Sequence, residues 1–353
     1  MNNRAGNPPG LRYLTRQVRE RRSGCTQRWQ LRIRDTLAKD GPPHYSREGN
    51  HFVRWPSRMG LRCLVFAILL VLAAASAVVG AESATFTTFS WQPQTLVNGS
   101  VCLFIVGLKG TPTKVTARWI GHNLEFSPGT NGAWYALGGV SLDTKPGSYD
   151  LAIEAVMRDG QVLRQSRTLM VRAAKYKTSR LTVPQKYVTP DPETLKRIEV
   201  EKEIKSDAFA HFIAVPEWSG NFVAPVPSEV SEAFGTSRTF NGKLASVHRG
   251  EDFRAPMGTP VHASNAGQVV LARELFYEGN CVVIDHGLGF MTMYMHLSKF
   301  EVKEGDKVEK GGTIALSGGT GRVTGPHLHM AARWSGEYLD PGKLLTLKLP
   351  ARP

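Results

Sequence analysis

HRGEDFRAPMGTPVHASNAGQVV, residues 248–270, and TGPHLHM, residues 324–330, hold two short histidine patterns, His248-x-x-x-Asp252 and His327-x-His329. In an extended strand, residues two apart point the same way. His327 and His329 are therefore expected on one face, and His248, Gly250 and Asp252 on another, with the glycine leaving room between the larger groups. Two such faces brought together offer imidazole nitrogens and a carboxylate. That donor set suits Zn²⁺ and leaves one position open for water. Either pattern alone arises often by chance, and its histidines are then ordinary surface or hydrogen-bonded residues. The pair, in this order, is far more specific, and the flanking sequence decides the matter.

Those flanks are FGTSRTFNG (234–242), GNCVVIDHGLGF (279–290), MYMHLS (293–298), VKEGDKVEKGGTIALSGGTGRVTGPHLHM (302–330) and LDP (339–341). Together with residues 248–270 they resemble the lysostaphin-type zinc metallopeptidases, the M23 or LytM-like peptidoglycan endopeptidases. The resemblance covers nearly all of the last third of the chain. It implies a C-terminal antiparallel β-sheet, barrel-like, with one zinc held by His248, Asp252 and His329. It also implies a metal-free catalytic pair, His327 and the histidine of YxHL, His296. The implied reaction is hydrolysis of peptide bonds in peptidoglycan stem peptides or cross-links. One imidazole takes a proton and passes it to the leaving amine while the other stabilises the tetrahedral species; the residues do not say which does which. The alternative is a non-catalytic LytM-like regulator of other wall hydrolases, a role taken by relatives that have lost ligands. All five positions are present here, which favours the enzyme.

Other residues near these patterns read as structural. Asp285-His286-Gly287 is a turn between strands, His262 a partly buried strand residue, and Gly318-Gly319-Thr320-Gly321 a turn shaping the groove wall. That glycine run lacks the Lys-Ser/Thr of a phosphate loop. Tyr294 lines the groove or belongs to the core. Glu251 stands where a small or apolar residue is expected. It points away from the metal toward the barrel, with Arg249 or Arg254 as a partner.

Upstream, short β-type runs (Val101–Gly107, Lys114–Trp119, Trp134–Leu137, Tyr149–Met157) are separated by turn signals such as Asn98-Gly99 and Asp159-Gly160. They predict an immunoglobulin-like β-sandwich over 85–173, an accessory domain with nothing catalytic in it and His122 in an exposed loop. Residues 174–220 read as a connector. Within it, Asp191-Pro192-Glu193 gives an N-cap, a proline at the first helical position and an acid in the first turn of one charged helix. The peptidase domain is expected over 221–353. The fold class is therefore mainly β, a sandwich followed by the peptidase sheet.

The remaining segment bears on location. The chain has 353 residues and a formal net charge of +14. Residues 1–62 alone carry 14 Lys and Arg against 4 Asp and Glu, so the basicity belongs to the leader and a nucleic-acid partner is not indicated. Residues 63–81 are free of charge and follow Arg54, Arg58 and Arg62. They read as a secretory signal peptide, or as an uncleaved membrane anchor. The Arg-rich, Pro-broken residues 1–58 resemble no domain, and Met59 is the expected translation start. Either way the working part is exported, to the periplasm or cell envelope. Four cysteines without a CxxC pair exclude a disulfide scaffold and a Cys-based zinc site. The oligomeric state is open.

Overall fold

The computed structural model describes residues 84–351; the leader and the signal or anchor segment at 59–81 lie outside the described residues. No helix among the described residues is long and apolar enough to cross a membrane.

The upstream runs form two sheets. Thr85–Gln92, Val101–Lys109, Ala133–Gly139 and Ser127–Pro128 make one, in that order. Leu96–Val97, Val162–Arg172, Gly147–Met157, Pro112–Trp119 and His122–Glu125 make the other. The period-2 pattern is plain in Gly147–Met157, where Leu151, Ile153, Ala155 and Met157 are buried and alternate with more exposed neighbours. Asp159-Gly160 turns this strand into Val162–Arg172, with Gly160 at φ 86°. Between the sheets Phe104 meets Trp119 edge to face at 5.4 Å, and the Trp119 indole N–H donates to the Gly139 carbonyl at 2.8 Å.

The larger sheet lies downstream. Its strands run Val230–Glu232, Glu251–Phe253, Leu328–Trp334, Phe290–Phe300, Gly279–Asp285, Gly267–Leu275 and Lys307–Val308. Pro260–His262, Thr313–Ser317 and Glu337–Leu339 are attached at the sides. Phe290–Leu297 is buried on both faces, which explains its nearly continuous apolar sequence. A smaller sheet pairs Thr178–Leu181, from the expected connector, in parallel with Ser237–Phe240, which in turn pairs with Leu244–Val247.

The two halves share one core. Phe222, Phe290, Trp334, Leu339 and Leu344 belong to the same buried apolar cluster as Phe104, Trp119 and Leu137. Gly139 presents bare backbone to Leu339, and an added Cβ there would overlap the leucine. His122, expected in an exposed loop, instead begins a strand and packs its ring 5.3 Å from Trp334.

The charged helix spans Pro192–Ala210, capped by Asp191, which accepts from the Glu193 and Thr194 amides. Its charge is not all solvated. Glu201 is buried and accepts from the Phe276 amide at 2.7 Å, and Lys205 meets Glu278 at 2.5 Å. A second short helix, Pro341–Thr346, uses the same Asp-Pro start at Asp340.

Candidate metal centre

Sheet register assembles the site. Asp252 lies directly across the ladder from His329, and His329 in turn opposite Met295. His248 arrives differently from expectation. The strand Leu244–Val247 ends just before it and the next begins at Glu251, so His248, Gly250 and Asp252 do not share one extended strand. The break lets the His248 ring swing onto Asp252. Gly250 makes room for His329, since a Cβ there would overlap the His329 ring and the Met330 carbonyl.

The three side chains converge. His248 Nε2 lies 3.1 Å from Asp252 Oδ1 and 3.0 Å from His329 Nδ1, and the latter two atoms are 2.7 Å apart. Among the described residues, these form the group of His, Cys, Asp or Glu side chains whose ligand atoms fall within 4.8 Å of one another. All three are buried. His248 Nδ1 faces the Ala233 carbonyl at 3.1 Å and must donate to it, which leaves its Nε2 as a bare lone pair in the neutral ring. That lone pair points at another ring nitrogen and at a carboxylate oxygen, a cluster of acceptors short of protons. Ligand atoms of a tetrahedral zinc at 2.0–2.1 Å would lie about 3.3 Å apart. The donor set and its spacing therefore fit a metal ion.

The electrostatics agree. Burial pushes the Asp252 carboxyl up, but the close approach of the His248 and His329 rings outweighs it and holds the group well below the carboxylate range. Burial lowers His329 to about 4 against the pull of Asp252, so it stays neutral and ligand-competent near pH 7.

His296 and His327 stand beside this group, with ring centroids 4.9 Å apart, and His296 is 5.9 Å from His329. Each Nδ1 donates to a backbone carbonyl, His296 to Thr320 at 2.9 Å and His327 to Gly325 at 2.8 Å. In the neutral ring each Nε2 then carries the lone pair. His327 Nε2 lies 3.6 Å from Asp252 Oδ1, on the same side as His329, as the HxH spacing predicts. His296 adopts φ 63°, a left-handed conformation that costs a non-glycine residue on the order of 1 kcal/mol or more. Burial, then the charges of His329 and His327, hold its pKa well below the usual value. The five histidine and aspartate positions thus gather along a groove of about 1150 Å³.

Sequence reasoning missed Arg238, which bridges Glu232 and Asp252 Oδ2 and so braces the carboxylate from behind. Nothing in the local sequence signals this, because the contact joins residues on three separate strands. The Glu251 pairing is corrected. Arg249 binds Asp143 at 3.0 Å and Arg254 is exposed, while Glu251 packs beside Gly342 with one oxygen unpartnered. Burial, then Asp340 and Asp252, push its carboxyl up to about 7. His286 is a structural core residue, Tyr294 is wholly buried, and Thr320 of the glycine-rich turn holds His296.

A β-sheet scaffold carries a buried His–Asp–His triangle that could hold a metal ion, flanked by two further histidines. Residues 246–341 match the profile of peptidase family M23. The chain is 58% identical over 87 residues to the peptidoglycan DD-endopeptidase ShyA of Vibrio cholerae, covering 25% of this chain and 20% of that protein. It is 45% identical over 95 residues to the DD-carboxypeptidase/endopeptidase Mpg of Neisseria meningitidis, covering 27% and 22%. The chain thus spans about a fifth of the length of these curated relatives. A solved Pseudomonas aeruginosa structure described as a peptidase M23 superposes with a TM-score of 0.53 at 29% identity, over 70% of this chain and 94% of that one.

Proposed function

We propose that the protein is an exported zinc metalloendopeptidase that hydrolyses peptide bonds in peptidoglycan stem peptides or cross-links. The observation that carries this reading is the triangle of His248 Nε2, Asp252 Oδ1 and His329 Nδ1, three acceptors facing one point beside two further imidazoles. These three atoms would hold the zinc. When bound, the zinc supplies a Lewis acid that polarises a peptide carbonyl and acidifies water. His296 and His327 supply the proton traffic. Each offers an Nε2 lone pair; one of them takes the proton of the attacking water and hands it to the leaving amine. The other, in its protonated form, donates toward the developing oxyanion. Thr320 and Gly325 fix both rings through their Nδ1 atoms, so neither has to reorient during the step.

Action in the cell envelope follows from the substrate named for the relatives and from the charge-free segment at 63–81. The strands of 85–172 form the accessory domain that joins the peptidase core. The test is digestion of purified peptidoglycan by the zinc-loaded chain, with the released fragments identified by mass. Loss of cross-linked fragments in favour of monomers is expected. Intact cross-links with the metal bound would favour the regulator reading.

A further inference from the structure

Arg322 sits two residues beyond Thr320, whose carbonyl orients His296. Its loop is fixed by the Arg322 amide, which donates to the Tyr277 carbonyl at 2.9 Å, and by Gly321, which is packed against the backbone of Gly279. The guanidinium lies 4.7 Å from the Phe240 ring centroid and 4.8 Å from that of Tyr277. It lines the same groove as the histidines.

The other arginines that line the groove are committed, apart from the exposed Arg254. Arg238 is bound to Glu232 and Asp252, Arg249 to Asp143, and Lys205 to Glu278. Glu278, whose charge reaches Arg322, pairs one oxygen with Lys205 and leaves the other without a partner, but it makes no ion pair with Arg322. No carboxylate among the described residues lies within 4.0 Å of the Arg322 guanidinium, and no side-chain hydrogen bond engages it. Burial acts against its charge, and the charges of Tyr277 and Glu278 offset that only in part. The aromatic contacts stabilise the cation through its faces, and a guanidinium held that way keeps its in-plane N–H fork free. That fork matches a carboxylate bidentately.

We infer that Arg322 is the substrate-specificity residue of the groove and recognises a free carboxylate on the stem peptide beside the scissile bond. The inference rests on the endopeptidase reading and adds to it a preference for acidic over amidated stems. Stem peptides carry several carboxylates, and the geometry selects the chemistry rather than one of them.

The test uses the zinc-loaded full chain with a synthetic cross-linked stem-peptide dimer. The same dimer is then made with each carboxylate in turn converted to a carboxamide. Wild type should cleave one carboxamide dimer roughly ten- to a hundredfold less well in kcat/KM, chiefly through KM, as expected when a charged hydrogen-bond partner is lost. Arg322→Gln should cleave the free and amidated dimers alike, at the lower rate. Arg322→Lys should keep part of the preference. Equal wild-type rates on every dimer overturn the inference. So does an Arg322→Gln variant that retains the preference, because the arginine is then only a clamp on the loop. If that variant does not fold, the wild-type dimer series decides alone. Cleavage of no dimer by wild type overturns the endopeptidase reading itself, and the inference with it.

Discussion

His286 and His329 are equally removed from solvent in practical terms, yet their surroundings are opposite. His286 donates Nδ1–H to the Ala266 carbonyl at 2.7 Å and meets the Thr292 hydroxyl through Nε2 at 2.8 Å, so both nitrogens are satisfied by the fold. His329 points Nδ1 at His248 Nε2 and Asp252 Oδ1, where acceptors outnumber protons. Burial alone therefore does not distinguish a structural histidine from a ligand. The supply of protons around the ring does. A complete hydrogen-bond inventory marks one as a packing element and the other as a candidate ligand.

The largest effect that sharpens this contrast falls on the second pair. His296→Ala and His327→Ala should keep metal and fold but lose about a hundredfold or more in turnover of wall peptides. Steady-state rates beside metal content check this, and wild-type rates in either variant would remove that ring from the chemistry. A smaller effect is expected at Arg238. Arg238→Gln leaves Asp252 unbraced, and loss of such an outer partner weakens metal affinity by roughly ten- to a hundredfold. Competition with a chelating dye measures it, and unchanged affinity would make the arginine a fold element only.

The mildest test concerns His286. Burial lowers its pKa to about 4 from the usual 6.5, so between these values the unfolded chain binds more protons than the folded one. Its contribution to stability is complete above about pH 6.5 and is lost as pH falls toward 4. The size is on the order of 3 kcal/mol at most. Urea unfolding between pH 4 and 7 should therefore show a flatter pH dependence for His286→Gln than for wild type. A slope as steep as wild type would place the acid sensitivity elsewhere.

How much of this was legible in the sequence depended on range. The Asp191-Pro192 helix start and the Asp159-Gly160 hairpin were readable because their determinants are local, a capping carboxylate and a glycine at positive φ. That His248, Asp252, His296, His327 and His329 gather along one groove was readable because short spacings and the flanking runs carried it. Arg238 was not, since its partners Glu232 and Asp252 meet it only through strand pairing. Nor was the pairing of Arg249 with Asp143, which joins residues more than a hundred positions apart. The break at His248–Gly250 escaped for a related reason. Local alternation favoured a continuous strand, while the close approach of His329 to Gly250 demanded a bend. The reach of the shared core, with Trp334 and Leu339 packed on Gly138 and Gly139, was likewise set by tertiary contact.

The central claim is that the buried triangle is a metal site and the equally buried His286 is not. Elemental analysis of the purified full chain, His329→Ala and His286→Gln after identical zinc loading and dialysis tests it most directly. The account predicts one equivalent of zinc in wild type and His286→Gln and none in His329→Ala. Full zinc in His329→Ala, or none in wild type, would contradict it.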